Sequence, residues 1–351
     1  MAGTSSTTGR MPAEWEEHEA TWIAWPHEPT DWPGKLEPIQ WVYAEITRAL
    51  TLAERVEILC STEQIAERAR ECLQLHRVDP ARYRLHVVPT DRSWLRDSMP
   101  VTVKPASGGR QWVRWNFRAW AKYDNYGSDN KIADHVSKIT GLSLVQGNIE
   151  DGKDPISLEG GAIEVDGEGT MLTTEECLLS PIQERNPGFG RAEYEAVFAR
   201  HLGIKKTIWL GQGCEGDDTH GHIDDIARFV APGKVVLAYE ANPKDANHAA
   251  SADNLERLRN ATDARGKRLE VILLPMPRPI WFGEERLPAS YANFYIANGH
   301  VLVPTFNDEN DRAALNILAD AFPGRKVIGI HAVDLVLGQG TLHCLTQQQP
   351  K

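Results

Sequence analysis

Two interleaved repeats constrain the fold of this chain more than any other feature. Short β-branched runs begin at Arg84, Ser143, Thr207, Glu270 and Lys326, separated by 59, 64, 63 and 56 residues. Each reads as a short buried strand. Between them, paired apolar runs flank turns at Asp166-Gly167, Pro232-Gly233 and Asn298-Gly299, with the glycines 66 residues apart both times. Each pair predicts a hairpin, and a fourth is centred on Gly108-Gly109. Helical periodicity falls between hairpin and single strand, over 129–140, 191–202, 252–265 and 310–322. Asp308 and Asp311 are capping candidates for the last of these. An earlier helical pair covers 38–56 and 63–75.

The unit is therefore hairpin, helix, strand. No unit of that size buries its own core, so the units must pack on one another. Five of them fill most of the 351 residues. The fold class predicted is α/β, a five-bladed pseudo-symmetric α/β propeller of ββαβ units. It forms a single domain over 1–351, with 1–10 as a disordered tail. The final segment, 340–349, reads as a strand that pairs back with N-terminal material.

Composition narrows the classes of function. The 38 basic and 49 acidic residues leave a net charge of -11, which argues against nucleic acid and membranes as partners and suits a small cationic substrate. No apolar run is long enough to cross a bilayer and no signal peptide is visible, so the expectation is a cytoplasmic protein, with a homodimer or higher homo-oligomer as the candidate assembly. The five cysteines are odd in number and lack a CxxC spacing, which argues against a disulfide framework and a structural zinc site. Nine of the 11 tryptophans lie in the first 120 residues, as core or as the rim of a ligand cavity.

Four segments carry candidate chemistry. In the first, Ser93 to Ser98, Arg96 beside Asp97 could be no more than a salt bridge. In the second, Glu159 precedes Gly160-Gly161, which fits either a carboxylate held where backbone approaches a ligand or a simple turn. The third, Gly216 to Asp225, has four acids and two histidines entering a predicted strand, whose alternation would put His220, His222 and Asp224 on one face. These three could bind a metal, or His222 and Asp224 could be an acid/base and its charge partner. In the fourth, glycines lead into Cys344, either a nucleophile in a tight pocket or a buried structural thiol.

These residues sit in longer stretches: MPAEWEEHEATWIAWPH from Met11, WLRDS, WNFRAWAKY, LEGGAIEVDGEGTMLTTEECLLS, GDDTHGHIDDIARFV, SYANFYIANGHVLVPTF and LHCLTQQQP. Together they resemble the agmatine deiminase and bacterial peptidylarginine deiminase family of guanidino-group-modifying enzymes, over nearly the whole chain. The resemblance implies a pentein-like five-bladed α/β propeller and a hydrolysis needing no metal or organic cofactor. It implies a nucleophile at Cys344, an acid/base at His222, guanidinium-binding carboxylates at Asp97 and Asp224, and a supporting Glu159. Trp94, Asp218 and His220 join Asp97 and Asp224 as expected substrate-binding residues. The chain departs from the family pattern at His220, Asp218 and Met99, and in GQGTLHC before the nucleophile. Agmatine is the expected substrate, with free or peptidyl arginine as the alternative. A metal-dependent amidohydrolase and a non-catalytic propeller are the other classes weighed.

Overall fold

A computed structural model describes residues 9–150 and 154–351. It is an α/β structure in which one pattern of strands recurs. Val101–Pro105 and Gln111–Arg114 form an antiparallel pair, and Leu144–Gln146 adds in parallel after the helix Ile132–Thr140. The same order repeats three times. Glu164–Val165 and Thr170–Thr174 take Lys206–Leu210 after the helix Arg191–Leu202. Ala227–Ala231 and Lys234–Tyr239 take Glu270–Pro275 after Asn247–Asn260. Tyr295–Ala297 and His300–Thr305 take Lys326–His331 after Asp311–Ala321.

The fifth sheet is assembled from both ends of the chain. Gln347–Pro350 runs antiparallel to His18–Ala24, and Arg55–Cys60 and Tyr83–Val87 follow in parallel. The helices Leu36–Leu50 and Glu63–Leu75 make those two crossovers. A sixth, two-stranded hairpin, Ile280–Phe282 with Glu285–Leu287, interrupts the pattern. Among the described residues no helix is long and apolar enough to cross a membrane.

Local chemistry accounts for the elements. In Glu63–Leu75 the Thr62 hydroxyl accepts the Ile65 N–H at 3.2 Å, and Ala66, Ala69, Cys72 and Leu73 form the buried stripe. Gly167, Gly233 and Gly299 take φ of 73°, 73° and 69°, the left-handed turn conformation that lets each hairpin reverse.

Several expectations need correction. The five single strands are the outermost strands of their sheets, so they are only partly buried; Val87 and Leu273 are among the exposed apolar residues. An edge strand has a neighbour on one side only. The helix expected at 252–265 lies at Asn247–Asn260, because the Asp263 carboxylate collects the Arg265 and Lys267 N–H groups into a turn. The helix expected over 38–56 is Leu36–Leu50, and Arg55 already begins a strand. Of the expected N-terminal tail, 1–8 lie outside the described residues. Gly9 and Arg10 pair with Pro105 and Lys104, a close approach that leaves no room for a Cβ at Gly9. In 340–349 only Gln347–Pro350 is strand, while Leu342–Leu345 is a helical turn.

A chain ending at Thr346 would leave His18–Ala24 as an unpaired edge and free Trp22 Nε1, which donates to Gln349 Oε1 at 2.8 Å. Several buried hydrogen bonds would be lost, so the loss in urea denaturation should be at least about 3 kcal/mol. An unchanged midpoint would show that this strand pairing contributes little.

Candidate active site

The repeat delivers one short turn per unit to the same place. Each turn directly precedes the first hairpin strand of its sheet. Leu95–Ser98 carries Asp97, Gly160–Ala162 follows Glu159, and Ile223–Asp225 follows His222. Asn293 precedes Tyr295–Ala297, and Leu342–Leu345 carries Cys344. Sequence reasoning placed residues in four of these five turns and missed Asn293. Aligning the hairpins would have shown the fourth unit without an assigned residue.

Asn293 organises the nucleophile's turn. Its Oδ1 accepts the Thr341 hydroxyl at 2.8 Å and the His343 N–H at 3.0 Å. Its Nδ2 donates to Asp225 Oδ1 at 2.9 Å and to Cys344 Sγ at 3.0 Å. These bonds draw the segment into a helical turn instead of the expected strand. The thiol also faces Asp224 Oδ2 at 3.5 Å. Burial, with Asp224, Asp225 and Asp97 nearby, pushes the Cys344 thiol well above its usual range.

The acids occupy different environments. Asp97 Oδ1 accepts the Gly161 N–H and Oδ2 accepts Trp120 Nε1, both at 2.8 Å. Burial raises Asp97 to about 6, with His222 working against the rise and Asp224 and Glu159 adding to it. Glu159 is buried too, but Arg185 Nε sits 3.2 Å from both its oxygens, and with His222 this brings Glu159 below the usual carboxylate range. His222 lies between them, 3.8 Å from Asp97 Oδ2 through Nδ1 and 3.8 Å from Glu159 Oε2 through Nε2. Neither ring nitrogen has a hydrogen-bond partner among the described residues. Burial opposes its protonation, yet Asp97, Cys177 and Glu159 outweigh that and raise His222 well above its usual range.

Gly161 marks where these groups converge. A Cβ there would sit 2.6 Å from His222 Nδ1, 2.8 Å from Asp97 Oδ1 and 3.1 Å from Asp224 Oδ2. Gly340 has the same character, with a Cβ only 3.1 Å from Cys344 Sγ. Asp97, Cys344, Trp94, Trp120 and Asp218 line one cavity of about 220 Å³, together with the hairpin residues Phe282, Glu285 and Leu287. Asp218 accepts from Tyr123 Oη at 2.7 Å and from Lys122 Nζ at 3.3 Å; burial raises it, against the pull of Lys122. Trp94 packs on Trp32 with ring centroids 5.3 Å apart.

His220 does not join this group. Its Nε2 lies 3.0 Å from Ser180 Oγ and its ring faces Glu176, in a separate, more open cavity. The expected alternation fails because 217–222 is a turn, not a strand. Asp217 Oδ2 accepts the N–H groups of both Gly221 and His222 at 2.9 Å, while His220 and Gly221 take left-handed φ of 65° and 90°. The metal set His220, His222 and Asp224 is therefore not assembled. Two other buried groups could hold a metal by proximity: Glu159 with Cys177 and His222, and Asp224 with Asp225 and Cys344. In the first, Arg185 already takes both Glu159 oxygens.

Arg96 does not pair with Asp97. It donates to Glu14 at 3.2 Å and to Gln348 at 2.7 Å. Glu14, His343, Arg185 and Arg228 were all missed. Glu14 is one acid among several in an acid-rich stretch, and nothing in a linear pattern singles it out. Cys177 lies against His222 and Glu159.

A buried thiol, a histidine whose ring nitrogens have no hydrogen-bond partner among the described residues, and several buried carboxylates make up the candidate site. The chain belongs to the Porphyromonas-type peptidyl-arginine deiminase family, whose model matches residues 10–350. It is 36% identical to an agmatine deiminase of Ectopseudomonas mendocina, over 99% of this chain and 98% of that protein. It is 37% identical to one of Pseudomonas fluorescens, over 97% and 95%. A solved agmatine deiminase of Enterococcus faecalis superposes with a TM-score of 0.91 at 32% identity, covering 99% of each chain. An amidinotransferase of Microseira wollei shares the fold at a TM-score of 0.52 and 15% identity.

Gly161→Ala would push a methyl group among His222, Asp97 and Asp224. Turnover should fall by about 100-fold, because small misplacements at a reacting centre are that costly. A melting curve should show the variant still folded. Near-normal turnover would mean that this point is not where the reacting groups meet.

Proposed function

We propose that this chain hydrolyses agmatine to N-carbamoylputrescine and ammonia through a covalent amidino-cysteine intermediate on Cys344. The observation that carries the reading is the convergence of Asp97, Asp224 and His222 around Gly161, with Cys344 Sγ 3.5 Å from Asp224 Oδ2. Its relatives named as agmatine deiminases, matched over nearly their full length, support the choice of substrate.

A guanidinium is a delocalised cation and a weak electrophile. Asp97 and Asp224 hold its N–H groups and turn its central carbon toward Sγ. Those same carboxylates disfavour the thiolate in the empty site, and the bound cation offsets their charge, so substrate binding itself favours loss of the thiol proton to solvent and leaves the reactive thiolate. Sγ forms a bond to the central carbon. His222, in its imidazolium form, gives its proton to the departing nitrogen, and the carbon–nitrogen bond breaks to release ammonia. Neutral His222 then takes a proton from water. The resulting hydroxide adds to the amidino carbon, and cleavage of the carbon–sulfur bond returns the thiol and frees the ureido product. Glu159, held by Arg185, orients the ring. Trp94 and Trp120 wall the aliphatic part of the substrate, and Asp218 receives its distal ammonium. No metal or organic cofactor enters these steps.

In the same reading the five sheets are blades of one propeller and the chain is a single catalytic domain. Asp97, Glu159, His222, Asn293 and Cys344 lie at equivalent positions before the five first strands, which supports this arrangement.

Ammonia release should be measured with agmatine, arginine and arginine-terminated peptides. Agmatine should be preferred, and Cys344→Ala should lower its turnover by at least about 10⁴-fold. Substantial turnover by that variant would sink the covalent route, and preference for a peptide would reassign the substrate.

The pH profile gives a separate check. Asp97, raised to about 6, loses its charge as pH falls through that value. kcat/KM for agmatine should therefore decline on the acid side of about 6, roughly tenfold per pH unit once the group is protonated. A profile flat down to pH 5 would remove Asp97 from guanidinium binding.

A further inference from the structure

His343 stands beside the nucleophile but points away from the cavity, between two carboxylates. Its Nδ1 lies 2.7 Å from Asp224 Oδ2 and its Nε2 lies 2.8 Å from Glu14 Oε2. An ionised carboxylate only accepts, so both contacts are hydrogen bonds only if both ring nitrogens carry protons. The two acids are held in their ionised forms. Burial works against Glu14, but Arg228, His343 and Arg96 keep it well below the usual range. Burial works against Asp224 as well, and His343, with His222 and Arg228, brings it down.

The ring's partners and its own backbone are held in turn. Glu14 also receives Arg96 at 3.2 Å and the Ile296 N–H at 2.7 Å, and forms an ion pair with Arg228 at 2.9 Å. Arg228 is held by Glu164 at 2.8 Å and by the Phe294 carbonyl at 2.6 Å. The His343 backbone is tied to Asn293 through its N–H and accepts from Arg96 Nε at 3.3 Å through its carbonyl. Asp224 therefore uses its oxygens differently. Oδ2 is committed to His343 and faces Cys344 Sγ, while Oδ1 is buried without a hydrogen-bond partner among the described residues.

We propose that His343 is a positioning residue: braced at Nε2 by Glu14, it holds Asp224 through Nδ1 so that Oδ1 is presented to the guanidinium beside Cys344. The kinetic part of this inference rests on the functional reading above. The role is indirect, since the ring touches neither the cavity nor the reacting atoms.

Two near-isosteric variants separate the contacts. The amide nitrogen of Asn falls near the place of Nδ1, so His343→Asn keeps a donor toward Asp224 and loses the one toward Glu14. Gln places its nitrogen near Nε2, so His343→Gln does the reverse. With folding checked by melting curves, His343→Asn should hold the KM for agmatine within about threefold of the parent chain. His343→Gln should raise it about 10- to 100-fold, the range for a lost hydrogen bond to a charged group, with a smaller change in kcat. Equal KM values for the two variants would overturn the proposal.

A second measurement needs no substrate. In the parent chain labelled with ¹⁵N-histidine, the His343 signals, assigned by their loss in His343→Asn, should report a proton on Nδ1, the nitrogen facing Asp224. An Nδ1 without a proton would overturn the proposal. If the parent chain turned over no agmatine, the functional reading would fail, and the ring signals would still decide the state of His343.

Discussion

Concentrating carboxylates in a dry interior is the physical constraint around which the rest of this structure is arranged. Asp97 and Glu159 are buried beside His222, and Asp224 and Asp225 beside Cys344. Removing such charges from water costs several kcal/mol each unless they are paired. The protein meets that cost unevenly. Glu159 is matched by Arg185, and Asp224 by His343 with Arg228 behind it. Among the described residues Asp97 has neutral hydrogen-bond donors, with His222 farther off at 3.8 Å, and stays close to titration. Asp225, held by Asn293, is driven well above the usual range by burial and by Asp224 and Asp217. Such pairs are weak sources of net stability. Their effect is to set which oxygen points where and which acid is charged.

The fold supplies these groups through repetition. Each sheet begins at a turn, and the turn residue, not the strand residue, reaches the site. A turn frees backbone N–H groups and lets glycines stand close to a ligand, as Gly161 and Gly340 do. The two chain ends are bound into the arrangement. Gln347–Pro350 pairs with His18–Ala24, and Glu14, just upstream of that strand, braces the residue next to the nucleophile. The position of Cys344 thus depends on packing between segments more than 300 residues apart.

Much of the fold was legible from the chain. The hairpin glycines, the helices Glu63–Leu75 and Arg191–Leu202 and the five single strands could be found because they answer to local rules of periodicity and turn conformation. The strand predicted through His220, His222 and Asp224 was not, because one side chain, Asp217, gathers the backbone N–H groups and rolls the segment into a turn. The Leu342–Leu345 turn failed for a similar reason, as it is drawn in by Asn293 from another unit. In the candidate site, Cys344, His222, Asp224, Asp97 and Glu159 stood out by residue type in dense motifs. Glu14, Asn293, Arg185 and His343 did not, since nothing near them in the chain hints at their partners.

By itself, the amino-acid sequence determined the α/β repeat, the places where the chain reverses and the chemical types available for a guanidino site. These follow from interactions between residues a few positions apart. Tertiary structure decided which of those residues meet. It excluded His220, brought Cys177 against His222, and gave each carboxylate its own charge state through partners from other units. The physical reason is that protonation and side-chain orientation depend on burial and on charges a few ångströms away, and those distances exist only once the units have packed.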